Sequence, residues 1–320
     1  MEQKNLEQLA HEVHKFFTIP GSKDSLLAPI VALIPQAPSG IAQIAEAFCS
    51  NVRSLVSTAG LPYIFALAAA RGRRYQLFHC AAELEAVIVK NDGATKPDEH
   101  PSFDARRRLQ EMEASHEGRD VLNHEVCEFL IDFAKDKDIS DAAAQLVSQA
   151  AVLTWSAFEV LSRDIFIAHL NSMPKAYTKL LADSDVRKRF DLSRVSIERV
   201  AEFNFDLTGK LGDLLIDQND LADLGGIKAT FVALFPSDSV LRQALNERDL
   251  WLLFQRRNLI VHRRGIVDQR YLDASGDEQS IGSRLTLRPT ELDTYLKLVT
   301  NAARAEISAA IGLPTKAPGN

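Results

Sequence analysis

The stretch Trp251–Gly265, WLLFQRRNLIVHRRG, constrains this chain more than any other. It reads as a helix that ends at Gly265, because glycine adopts the left-handed conformation past a helix end without a Cβ penalty. Leu241, Leu245, Leu252 and Leu259 mark one stripe. Leu250, Phe254 and Val261 mark the opposite side, and Leu253 and Ile260 fill the flank between them. A helix apolar around nearly its whole circumference belongs in a core or between subunits. This one nevertheless carries Arg257, Asn258 and His262. Burying a neutral polar group without a partner costs on the order of 2–7 kcal/mol, so these side chains need partners or a cleft. Such a conflict between local pattern and residue choice is where functional sites tend to lie.

A second long apolar helix is expected over Asp141–Asn171, with Ser140 as its N-cap and Pro174 as its stop. Glu159, Arg163 and Asp164 are its main exceptions. The other segments read as shorter helices. They cover residues 3–17, Leu26–Ile34 (helix or buried strand), Ile41–Ala59, Pro62–Ala70, Tyr75–Lys90 and a charged run from Ser102 to about Lys137 with a weak point at Gly118. Between the two long helices come Tyr177–Leu181, Val186–Phe190, Val195–Phe203, Leu207–Leu215 and Ile227–Leu234. Ser237 or Ser239 is expected to cap the helix that ends at Gly265. After Gly265 the period changes, and Ile266–Leu272 with Ser283–Arg288 reads as a small β-hairpin. Pro289 opens a last amphipathic helix. The expected fold is mainly α: a helical N-terminal region over 1–135, an antiparallel helical bundle with a hairpin insertion over 136–313, and a disordered tail over 314–320.

Composition narrows the chemistry. A net charge of −6 gives no global field for nucleic acid, so any such contact needs a local patch. Arg256, Arg257, Arg263 and Arg264 form one. The three cysteines lie far apart without metal or redox spacing, which fits a reducing cytoplasm. His11 and His14 share a helix face without a third ligand, so no metal is expected there. The first residues do not resemble a signal peptide, and no apolar run is long enough to span a membrane.

An Arg followed by a His at this distance also occurs at Arg74–His79, Arg119–His124 and Arg163–His169, so the spacing alone is weak. The copy at 257 stands apart because its helix is apolar all round and an Asn follows the Arg. Asn258 and His262 lie about 40° apart on the helix, whereas Arg257 lies about 140° from His262 and must reach over. The helix dipole favours a protonated His262, and Arg263 and Arg264 oppose it, which suits a group that takes and returns a proton. Arg supplies planar donors matched to phosphate oxygens. RNA cleavage through the 2′-hydroxyl needs a base and cations but no metal, so His, Arg and Asn suffice. The competing view is that these residues only complement the helix dipole and cap its last carbonyls.

RNLIVH at 257–262, with WSAFEVLSRDIF at 155–166, resembles the HEPN (higher eukaryotes and prokaryotes nucleotide-binding) domain superfamily over roughly residues 140–312. Its members carry an Arg, a polar residue directly after it, and a His near the end of a late helix. An earlier long helix carries an acidic residue, here Glu159. The resemblance implies a dimerising helical bundle in which Arg257, Asn258 and His262 of two subunits line one cleft. It also implies metal-independent cleavage of RNA, with toxin–antitoxin or antiviral defence as the setting. Arg256, Arg263 and Arg264 are then the substrate-binding residues and Glu159 a supporting one, orienting Arg257 or His262 unless it simply pairs with Arg163. RNA, a second copy and an antitoxin or other protein are the partners implied, with no cofactor, no metal and no membrane. Some members lack activity and only bind RNA, nucleotide or protein, which is the alternative function here.

Overall fold

The computed structural model describes residues 5–19, 23–91, 100–216 and 221–313. The expected tail at 314–320 lies outside them. The described residues are mainly helical. The chain opens with α1 (Leu6–Val13), α2 (Lys23–Val31), α3 (Ser39–Ala59), α4 (Leu61–Asn91), α5 (Pro101–Ala114), α6 (His116–Phe133) and α7 (Lys137–Ser172). Shorter elements follow: α8 (Tyr177–Ala182), α9 (Ser184–Arg189), α10 (Ile197–Glu202), α11 (Leu211–Ile216), α12 (Leu224–Leu234) and α13 (Ser239–Leu245). The last are α14 (Arg248–Arg263), α15 (Gln269–Ser275) and α16 (Pro289–Ala310).

These helices form two compact units. The first takes residues 1–20, 57–147 and 288–290; the second takes 21–56, 148–287 and 291–320. No single boundary therefore falls at 135/136. Helix α3 through Val56 clusters with the C-terminal elements, and the first turns of α7 cluster with α4–α6. The reason lies in what covers each apolar face. The stripe Ile41, Ala45, Phe48, Val52 and Leu55 on α3 is buried, but its spacing says nothing about which partner buries it.

In the first unit, Asn5 and Gln8 form a reciprocal cap on α1 (Asn5 Oδ1 accepts from the Gln8 N–H at 2.8 Å). Leu9, Val13 and Phe17 join Ala66, Ala70, Leu122, Val126, Cys127 and Leu130 in its core. Polar contacts tie the helices at the rim: Arg108 to Glu85 at 2.7 Å, Tyr63 to Asn123 at 3.2 Å, and Arg74 to Glu125. The charged run after Ser102 is two helices rather than one. It breaks at Ser115, whose Oγ accepts from the Gly118 N–H at 3.0 Å, so the cap forms one turn before the glycine.

The second unit is built on α7. Trp155, Phe158, Leu161, Ile165, Phe166 and Leu170 are all buried. Phe166 stacks on Phe190 with ring centroids 4.8 Å apart, and Trp155 packs on Phe254 of α14 at 4.9 Å. Glu306 of α16 is wholly buried and accepts from Ser162 Oγ at 3.1 Å. Burial pushes its carboxyl well above the usual range.

The expected hairpin after Gly265 does not form. The described residues hold no strand there, only an isolated antiparallel bridge between Ile266 and Arg284. Residues 269–275 are helical instead, because Asp268 caps that helix by accepting from the Tyr271 N–H at 2.8 Å and Gly276 ends it in the left-handed region. The helix ending at Gly265 is likewise broken, between Leu245 and Arg248. Asp238, rather than Ser237 or Ser239, caps its first part. No single described helix is long and apolar enough to cross a membrane.

Candidate functional site

The end of α14 is set by its backbone. Arg264 (φ 55°) and Gly265 (φ 74°) are both left-handed, and the Gly265 N–H returns to the Leu259 carbonyl at 3.0 Å. This closure fixes the last turn, which carries His262 and Arg263.

The two sides of that helix differ. Arg256 was expected at the substrate surface, but it is buried, at 6% exposure. Its Nε donates to the Tyr271 hydroxyl at 3.2 Å, its Nη1 to the Tyr295 hydroxyl at 2.6 Å and to Glu291, and its Nη2 to Asp277 at 3.0 Å. The Tyr271 hydroxyl in turn donates to Asp277 at 2.7 Å. Burial alone would lower the Arg256 pKa. Tyr295 and the Glu291 carboxylate hold it well above its ordinary value, so the guanidinium stays charged. Burial and the Asp277 hydrogen bond push the Tyr271 phenol up to about 12. Arg256 thus locks α14 to α15 and α16 and is withdrawn from any substrate. Leu250, Leu253 and Leu259 are the other buried residues of this helix.

The other side is open. Arg257 Nη2 lies 3.6 Å from Glu159 Oε2, and Arg257 Nη1 donates to Asn258 Oδ1 at 3.0 Å. Trp155 Nε1 donates to the same Glu159 oxygen at 2.9 Å, which orients the carboxylate. Arg163, the rival partner for Glu159, is engaged by Asp164 at 3.2 Å. The structure thus brings Glu159, Arg257 and Asn258 together. His262 follows on the last turn with its ring exposed, and Arg263 and Arg264 are exposed beside it. Arg263 reaches Asp268 at 3.7 Å. Exposed apolar side chains occupy the same two helices: Val261 on α14, with Leu153 and Val160 on α7. Three cationic side chains, an amide and an exposed imidazole can bind a phosphodiester and move a proton beside it. Among the described residues no group of three or more His, Cys, Asp or Glu side chains is placed to hold a metal ion.

A cavity of about 670 Å³ opens along α7 beyond the Glu159 pair, lined by Arg163, Asp164, Arg199, Glu202, Phe203 and Asp213. Helix α11 reaches it through Gly212, where a Cβ would lie 2.4 Å from the Ile167 carbonyl oxygen; the Gly212 N–H donates to Asn171 Oδ1 at 2.8 Å. Sequence reading missed Arg199, Phe203 and Asp213, because they come from two short helices with no motif between them.

No family model matches this chain, and no curated protein or solved structure matches it either.

Proposed function

We propose that this protein is a metal-independent endoribonuclease of HEPN type that acts as a homodimer, with Arg257, Asn258 and His262 of both copies facing one cleft. The observation that carries this reading is the open side of α14. There Glu159 and Asn258 hold the Arg257 guanidinium, His262 stands exposed one turn on, and Val261 beside it is exposed as well. Val261, Leu153 and Val160 are the surface a second copy would cover. In the reaction, His262 takes the proton of a ribose 2′-hydroxyl, and that oxygen attacks the adjacent phosphorus. The 5′-oxygen leaves and receives a proton from the partner copy's imidazole, giving a 2′,3′-cyclic phosphate and a 5′-hydroxyl. Arg257 balances the charge that builds on the phosphoryl oxygens, and Arg263 and Arg264 hold flanking phosphates.

Cleavage of single-stranded RNA, scattering in solution and variants test this together. His262→Ala is expected to lower cleavage by about 10²–10⁴-fold without loss of fold, because an exposed imidazole contributes little to stability. Arg257→Ala is expected to abolish cleavage as well, and EDTA to leave wild-type activity intact. Full activity in either variant, or a strict monomer, sinks the site assignment. The contacts of Arg257 with Glu159 and Asn258 favour a second reading, in which the arginine only shapes a phosphate-binding surface. RNA bound tightly and never cut, at any pH from 5 to 9 or so, decides for that reading.

A further inference from the structure

Resting on the ribonuclease reading, we infer that the cavity beside α7 is a base pocket that takes guanine from single-stranded RNA next to the cleavage cleft. The cavity starts at Arg163, four residues after Glu159 and therefore about 6 Å further along the same helix. The Trp155–Phe254 and Glu159–Arg257 contacts advance in the same sense along α7 and α14. Arg163 and His262 thus both lie beyond the Glu159–Arg257 pair, toward the same end of the two helices. A strand whose phosphate sits at Arg257 has its neighbouring base within reach of the pocket.

The lining matches guanine rather than a generic anion. Three carboxylates face two guanidiniums, so a phosphate is disfavoured there. Guanine alone among the RNA bases presents two adjacent acceptors, O6 and N7, on one edge and two adjacent N–H donors, N1 and N2, on another. Arginine reads the first edge with its planar fork. Arg163 spends its Nε on Asp164 at 3.2 Å, its side chain is 43% exposed, and its two Nη groups remain for a ligand. A carboxylate reads the second edge. Asp213 accepts from Asn171 Nδ2 at 2.7 Å with one oxygen and keeps the other for the guanine N1–H or amino group. Phe203 supplies the flat surface on which single-stranded bases stack, with the Arg199 guanidinium 4.9 Å over its ring. The chain reverses directly after Phe203 through two left-handed residues, Asn204 (φ 53°) and Phe205 (φ 59°), which holds the ring at the end of α10. A volume of about 670 Å³ admits a base with its ribose.

The test uses the full chain carrying His262→Ala, so that RNA is bound and not consumed. Fluorescent uridine hexamers with one central guanosine, inosine, 7-deazaguanosine or adenosine are titrated by anisotropy, and free GMP and AMP by calorimetry. Guanosine is expected to bind about tenfold more tightly than inosine, which lacks the amino group, and than 7-deazaguanosine, which lacks N7. Asp213→Asn and the milder Arg163→Lys are each expected to erase most of that preference while leaving the all-uridine hexamer unchanged, and Phe203→Ala, which removes a stacking surface open to any base, to weaken the guanosine and uridine hexamers alike. Preference in the hexamer without preference for GMP over AMP identifies RNA as the source of the base; preference in both identifies free guanine nucleotide as a competing ligand of the same pocket. Equal binding of guanosine and inosine, or a preference that survives both Asp213→Asn and Arg163→Lys, overturns the pocket, whatever the cleavage result. Guanine preference in a wild-type protein that cuts no RNA keeps the pocket and removes the ribonuclease.

Discussion

Arg256 and Arg257 are neighbours in sequence and opposites in the fold. Arg256 is buried, and two phenols and two carboxylates share its guanidinium. Arg257 is half-buried on the neighbouring side of the same helix, with one carboxylate at 3.6 Å and the side-chain oxygen of the next residue at 3.0 Å. A rotation of about 100° separates them. One end of one helix therefore combines a rigid anchor and an open charged surface, and identical side chains serve both. A basic cluster is not automatically a binding patch. What each arginine does depends on which neighbours its face of the helix meets.

The sharpest way to break this contrast is to remove each arginine in turn. Arg256→Ala leaves Asp277 and Glu291 partly buried without their cation and should cost about 3–5 kcal/mol in denaturant unfolding. Arg256→Lys should rescue little of it, because an ammonium cannot engage four partners in the plane of a fork. Arg257→Ala should cost about 1 kcal/mol, since its pair is partly open to solvent. Equal losses from the two substitutions would show that the faces do not differ as the contacts indicate.

Alkaline pH separates the faces by a smaller amount. In the fold Tyr271 holds its proton up to about 12, above its ordinary value near 10. The folded state thus keeps a proton that the unfolded chain releases first. The contribution of Tyr271 is complete below pH 10 or so and declines as pH rises from there toward about 12, by at most about 1.4 kcal/mol per pH unit. Tyr271→Phe should cost about 1–2 kcal/mol at neutral pH and flatten that alkaline slope relative to wild type in parallel urea titrations. An unchanged slope would mean that the phenol does not share its hydrogen with the buried cluster.

Part of this was legible in the chain. The apolar circumference of the two long helices announced a core. Glu159 was expected to orient Arg257 or His262 only through the family resemblance, with Arg163 as the rival partner, and it lies beside Arg257. The glycine at 265 marked the helix end correctly. What could not be read was set by partners distant in sequence. The residues that bury Arg256 lie 15 to 39 positions further on. The α3 stripe gives no sign of which unit it joins. The hairpin expectation failed for a local reason: Asp268 and Gly276 are turn residues in either structure, and here they act as the two caps of a short helix. Of the base pocket only Arg163 and Asp164 stood out in the chain, because its aromatic ring and the Asp213 carboxylate come from two other short segments that line the same cavity.

The open side of α14 has a cost of its own at Arg264. That residue sits at φ 55°, a conformation that glycine adopts freely and that strains any side chain with a Cβ. Gly265 directly after it already supplies the glycine that the helix end requires. Nothing in the backbone therefore calls for arginine at 264, and the side chain points to solvent rather than into a packed layer. Relief of strain argues that Arg264→Gly raises stability, by about 0.5–1 kcal/mol, against the larger conformational freedom that glycine gives the unfolded chain. If Arg264 holds a phosphate, the same substitution removes one cation from the cleft, and the slope of log affinity for single-stranded RNA against log salt should become shallower by about 0.7. A variant that is more stable and less salt-sensitive in RNA binding shows a charge retained at the expense of the helix end. A variant that is more stable with its salt slope unchanged places Arg264 outside the RNA path and confines the phosphate contacts to Arg257 and Arg263.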